Sequence, residues 1–158
     1  MTDPQPAREV IERTWNAPIE AVWAMWTTKA GIESWYGPRG FRSTIEALEV
    51  KVGGPFHCTM HADSPQMVEM MKARGRPTSW PNLATWTEVV RHKRLCFEMA
   101  VPMGPERPAA KMVHTVTFEE TDAGVHMVFV LEATEVPIQG AAGGWRSSFD
   151  RMGEGLDV

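Results

Sequence analysis

At 158 residues the chain is long enough for one domain with a substantial core and short for two. Hydrophobic residues make up 43% and charged residues 23%, the balance of an ordinary globular protein. The net charge of −4 argues against a nucleic-acid surface, and no apolar run approaches the roughly 20 residues that cross a bilayer.

Residues 1–8 are polar, with two prolines and no apolar signal core, so a cytoplasmic protein without nucleic-acid or membrane partners is expected. Residues 8–15 then read as a first strand. Pro18 suits a helix start, where its missing N–H costs nothing. Ile19, Val22, Trp23 and Trp26 follow at helical spacing, one amphipathic stripe. A second short helix is expected over residues 29–35, ended by Tyr36-Gly37-Pro38. Strand character returns at residues 41–50, breaks at Gly53-Gly54-Pro55 and resumes at 56–61, which predicts a hairpin. The segment 62–85 is too long for a tight turn and reads as an insertion or lid. In it, Ser64-Pro65 starts a short helix with Met67, Met70 and Met71 on one face, and residues 74–82 read as irregular loop carrying Trp80. Residues 86–91 and 95–101 pair around His92-Lys93-Arg94. A proline-rich loop leads to a strand at 111–119, and Thr121-Asp122-Ala123-Gly124 turns the chain into 125–134. Last, Gly140, Gly143 and Gly144 lead into Trp145, Phe149, Met152 and Leu156, whose spacing of four, three and four residues is one face of an α-helix.

The elements give an α+β fold: a curved antiparallel sheet of about seven strands, in the order β-α-α-β6-α, around a carboxy-terminal helix. The core spans about residues 8–156. This order resembles the helix-grip architecture of the START-like, birch-pollen-allergen-like superfamily. Ala17-Pro18 with Val22-Trp23, then Trp35 with Gly37-Pro38, resembles the opening of the family named for the activator of the 90-kDa heat-shock-protein ATPase. Glu49, Lys51, Gly53-Gly54 and Phe56 resemble its Asp-x-Arg-x-Gly-Gly turn, with both charges conservatively replaced. Glu88-Val89 with Arg94-Leu95 and Phe97 resembles a strand hairpin of that family, and Gly144-Trp145 with Phe149 and Met152 resembles its last helix. The resemblance covers about residues 10–152. It implies a ligand-binding or co-chaperone-like domain, the latter in a stress-response setting. The long segment after Met67 and a short terminal helix depart from the pattern.

Strand parity groups the inward side chains as Phe56, Cys58 and Met60; Leu95, Phe97 and Met99; His114, Val116 and Phe118; and Met127, Phe129 and Leu131. Trp145, Phe149 and Met152 face them from the helix. The chain also carries 11 Met and 7 Trp against a single Tyr, a mixture that suits a plain core or an adaptable binding wall. The expected ligand cavity is therefore lined by Phe56, Met60, Trp86, Glu88, Phe97, Met99, His114, Phe118, Met127, Phe129, Trp145, Phe149 and Met152.

Chemistry finds little support. His57 and His61 lie four apart in a strand, about 13 Å, too far for one metal ion. Cys58 and Cys96 lack CxxC spacing and sit on strands separated by another, so free thiols are expected. No Gly-x-Ser-x-Gly elbow or phosphate-binding loop is present. An inward Glu88 beside His114 is the one acid–base couple that the pattern allows, and the alternative is an outward, solvated Glu88. No cofactor or metal is implied. Three readings follow: a non-catalytic binder of a small hydrophobic or aromatic molecule; a protein-interaction module or homodimer using Met67, Met70, Met71 and Trp80; and an enzyme such as a cyclase or hydrolase resting on Glu88 and His114.

Overall fold

The structure, a computed structural model, describes residues 7–156, so most of the polar N-terminal stretch read above lies outside the described residues. Strand β1 (Ala7–Trp15) leads to helices α1 (Ile19–Thr27) and α2 (Lys29–Trp35), then strands β2 (Phe41–Leu48) and β3 (Pro55–Ala62). Helix α3 (Pro65–Ala73) precedes β4 (Ser79–Val90), β5 (Arg94–Val101), β6 (Ala110–Thr121) and β7 (Gly124–Ala133), and α4 (Gln139–Leu156) follows. The strands form one antiparallel sheet in the order β1-β7-β6-β5-β4-β3-β2. The α+β helix-grip architecture expected from the sequence is the one observed.

Period-two alternation decides which face is apolar. Along β7, Val125, Met127, Phe129, Leu131 and Ala133 are buried while their neighbours are half-exposed. The β2–β3 connection turns on Gly53, with φ +84°, and on Gly54, where a Cβ would lie 2.1 Å from the Glu49 carbonyl oxygen. No side chain fits there.

Helix α4 lies across the inner face. Its buried positions, Ala142, Trp145, Ser148, Phe149, Met152 and Gly153, make one stripe. Gly153 allows close contact with β1, since a Cβ would come within 2.8 Å of the Trp15 ring. The helix runs 18 residues from Gln139, so Gly140, Gly143 and Gly144 lie inside it. The short terminal helix expected from them is corrected: docking of the Trp145–Phe149–Met152 stripe outweighs their weak helix propensity.

The excursion after β3 is also smaller than 62–85. Ser79 already pairs with His61, and Trp80 with Met60, so the stretch read as loop is partly strand. Helix α3 is as expected, with the Ser64 hydroxyl accepting from Met67 N at 3.1 Å.

Gly143 is exposed and nothing lies within 4 Å of a Cβ placed there. Gly143→Ala should therefore stabilise the protein by about 0.5–1 kcal/mol through helix propensity, read as a higher urea midpoint. Gly153→Ala, which must displace the Trp15 ring, should lower it.

Candidate functional site

Most of the space between sheet and α4 is filled by aromatic rings. Phe56 stacks on Trp86 at 5.0 Å between centroids, Phe129 meets Phe149 edge-on at 5.1 Å, and Trp26 and Trp35 pack at 4.8 Å. These side chains are essentially inaccessible to solvent. Near the start of α4 the filling stops, and a cavity of about 220 Å³ remains.

Three parts of the chain build it. From the sheet come Met60, Trp80, Asn82, Met99, Met112 and His114; from α4, Ala141, Gly144, Trp145 and Ser148; from the α2–β2 connection, Tyr36, Gly37 and Pro38. Pairing explains the sheet wall: Met60 lies opposite Trp80, Cys58 opposite Asn82, and Met99 opposite Met112. Gly37 has φ +119°, and a Cβ there would come within 2.8 Å of the Met60 sulfur, so only glycine lets the connection approach the sheet. The connection is tied to α4. Ser148 Oγ accepts from Gly37 N at 3.1 Å, and Arg151 Nη1 donates to the Gly37 and Phe41 carbonyls at 2.7 and 3.0 Å.

Of the expected cavity residues, Met60, Met99, His114 and Trp145 line this space. Phe56, Trp86, Phe97, Phe118, Met127, Phe129, Phe149 and Met152 face inward but do not line it. Their rings and chains pack against one another, so parity placed them on the right face and packing closed the volume. Glu88 is corrected outright. A bulge shifts the register between Trp86 and Glu88, pairing Trp86 with Phe97 but Glu88 with Cys96. One extra residue reverses the alternation, so Glu88 lies on the outer face and bonds Arg94 Nε at 2.8 Å. The Glu88–His114 couple is not formed.

Sequence reasoning missed Tyr36, Gly37, Pro38, Trp80, Asn82, Met112, Ala141, Gly144 and Ser148. Met112 shares the parity of His114 and was legible in principle. Trp80 packs edge-on against Phe41 at 5.5 Å. Met71 is buried and Met67 lies beside Gly40, so of the proposed interaction surface only Met70 is well exposed.

The remaining chemistry is quiet. Cys58 is buried and Cys96 points to the outer face, beside the Thr115 hydroxyl. Burial pushes the Cys58 thiol up to about 12, against opposing hydrogen bonds from Asn82 and Tyr36, which leaves it protonated and unreactive. Burial likewise raises the Tyr36 hydroxyl well above its ordinary value. His57 and His61 face outward, His61 bonding Thr44 and Ser79 at 3.0 and 2.9 Å. Among the described residues no cluster of three metal-ligating side chains occurs, and no helix is long and apolar enough to cross a membrane.

His114 is the exception. It is 1% exposed, stacked on Phe97 with ring centroids 4.4 Å apart, and its Nδ1 lies 3.3 Å from the Phe97 carbonyl oxygen. Among the described residues, the buried side-chain polar atoms without a hydrogen-bond partner are Trp26 Nε1, Ser43 Oγ, Trp86 Nε1 and His114 Nε2. His114 alone of these residues borders the cavity.

A curved antiparallel sheet clasping a carboxy-terminal helix, with an apolar cavity between them, defines a helix-grip domain of the START-like kind. The model of the family described as Activator of Hsp90 ATPase homolog 1-like protein matches residues 16–157, and the chain belongs to that family. Solved structures share the fold. A protein from Chromobacterium violaceum is similar with a TM-score of 0.77 at 18% identity, over 96% of this chain and 97% of that one. The AHSA1 protein from Silicibacter pomeroyi gives 0.75 at 18%, over 96% and 98%, and the AHSA1-like protein from Aeromonas hydrophila 0.70 at 22%, over 94% and 90%. No curated protein matches the chain.

Burial lowers the His114 pKa from 6.5 to about 4, against the weaker pull of the Phe97 and Met112 carbonyls. Between those values the unfolded chain holds a proton that the folded chain has released, so stability should rise as the pH rises across that window and drop as it is lowered. The contribution, roughly 3 kcal/mol, is fully present above the unfolded value and lost below the folded one. Urea unfolding of wild type should therefore weaken by about that amount more than His114→Phe on going from neutral pH to below 4. Parallel profiles would contradict a buried, neutral imidazole.

Proposed function

We propose that this protein binds a small hydrophobic or aromatic molecule in the cavity between the sheet and the first turns of α4. The observation that carries the reading is the 220 Å³ space left where the aromatic packing stops. An apolar cavity of about 150 Å³ accepts benzene, so this one suits a fused bicyclic aromatic. Its wall combines Met60, Met99 and Met112 with Trp80 and Trp145. Thioether chains adapt to irregular shapes and make favourable contacts with rings, while the indoles offer flat faces. A few polar groups among apolar walls are the usual composition of a small-molecule site.

Two wider grooves on the surface fit the reading less well. One lies beside the exposed Arg13–Asp150 pair and the other beside the exposed Arg42–Asp63 pair. Neither is enclosed by apolar side chains, and both are flanked by solvated charge. An interaction role has less support than a ligand role, because the methionine face of α3 is largely turned inward.

Gly144 borders the cavity, and nothing lies within 4 Å of a Cβ placed there. Gly144→Leu should fill the space while keeping the helix. Naphthalene affinity, followed by quenching of tryptophan fluorescence, should drop about tenfold or more, the loss of roughly 1.4 kcal/mol. Unchanged affinity in a folded variant would overturn the site.

A further inference from the structure

We propose that the molecule held in this cavity is an uncharged aromatic carrying a hydroxyl or N–H, and that it donates this hydrogen to His114 Nε2. The inference rests on the ligand-binding reading above and adds the chemical class that the site selects.

The argument starts from the Phe97 carbonyl. A carbonyl oxygen only accepts, so the nitrogen 3.3 Å away, His114 Nδ1, carries the hydrogen. In a neutral imidazole the other nitrogen then holds a lone pair. That nitrogen, Nε2, is buried without a partner in a residue that borders the cavity. A half-turn of the ring would keep its stack on Phe97 but lose the bond from Nδ1 to the Phe97 carbonyl, so that bond sets the orientation. Nε2 is therefore an unpaired acceptor, covered from solvent, in a residue of the cavity wall, and a donor in the cavity reaches it by a small shift of that wall.

Such an acceptor discriminates by chemistry. A phenolic hydroxyl or ring N–H satisfies it. A ligand that only accepts would require the other tautomer, which sets the Nδ1 lone pair against the Phe97 carbonyl. A carboxylate finds no cation among the lining residues and would be desolvated without compensation. The lowered pKa of His114 agrees, since it keeps the imidazole neutral at physiological pH.

The test compares β-naphthol with β-methylnaphthalene, which has nearly the same shape but no donor, by fluorescence quenching and calorimetry on the wild-type chain. β-Naphthol should bind roughly ten- to a hundred-fold more tightly, the range expected for satisfying one buried acceptor, although the methyl compound is more hydrophobic. In His114→Phe the gap should close. A second readout needs no variant: in ¹⁵N-labelled wild type, the Nε2 resonance should move upfield on adding β-naphthol and stay in place with β-methylnaphthalene. Equal affinities for the two compounds would overturn the donor assignment and leave the cavity reading intact. A gap that persists in His114→Phe, or an unmoved Nε2 resonance, would overturn the role of His114. Failure of both compounds to bind would overturn the cavity reading, and this inference with it.

Discussion

The docking of Trp145 on the sheet is the interaction that the rest of the molecule depends on. Its indole lies 4.7 Å from Phe129, 5.3 Å from Tyr36 and 5.4 Å from His114, ring centre to ring centre, and so joins α4 to β7, to β6 and to the end of α2. Aromatic burial of this extent is worth several kcal/mol. It is what holds a helix containing Gly140, Gly143 and Gly144 in its first turns. The same residue is both the last plug of the filled core and a wall of the cavity. Phe149 and Met152 of the helix are fully buried against the sheet, whereas Gly144 and Trp145 share the cavity lining with Met99 and Met112.

That division separates two uses of one inner face. The filled half supplies stability, with Trp26, Trp35, Phe97 and Phe129 excluding water. The open half is lined by side chains that can shift, three methionines and a glycine-bearing helix turn, and is fastened at its edge by Ser148 and Arg151 to the α2–β2 connection. Two unpaired indole N–H groups, those of Trp26 and Trp86, lie in the filled half, where the packed rings leave no room for a partner. His114, whose Nε2 is likewise buried and unpaired, borders the open half.

Fold and inward face were legible in the chain because each rests on a periodic signal. Alternation in β3, β5, β6 and β7 identified the inward residues, and the stripe in α4 identified what faces them. Where the period breaks, the reading broke with it. The extra residue beside Trp86 sent Glu88 to the outer face, and Pro77 and Pro81 made the start of β4 read as loop, although Pro81 pairs with Thr59 within the sheet. The cavity itself was not legible. Void volume is the remainder after all the rings have packed, and no local pattern encodes it. Tyr36, Gly37 and Ser148 belong to it through contacts between distant segments, for which no spacing rule exists.

The methionine methyl groups report directly on where a ligand sits. With ¹³C-methyl-methionine labelling and β-naphthol as the probe, ring-current shifts should appear at Met60, Met99 and Met112, which line the cavity, while Met127 and Met152, buried in the filled core, keep their positions. Shifts centred on Met127 and Met152, or no shift at any of the five, would contradict a core that is closed around Phe129 and Phe149 and open only beside the first turns of α4.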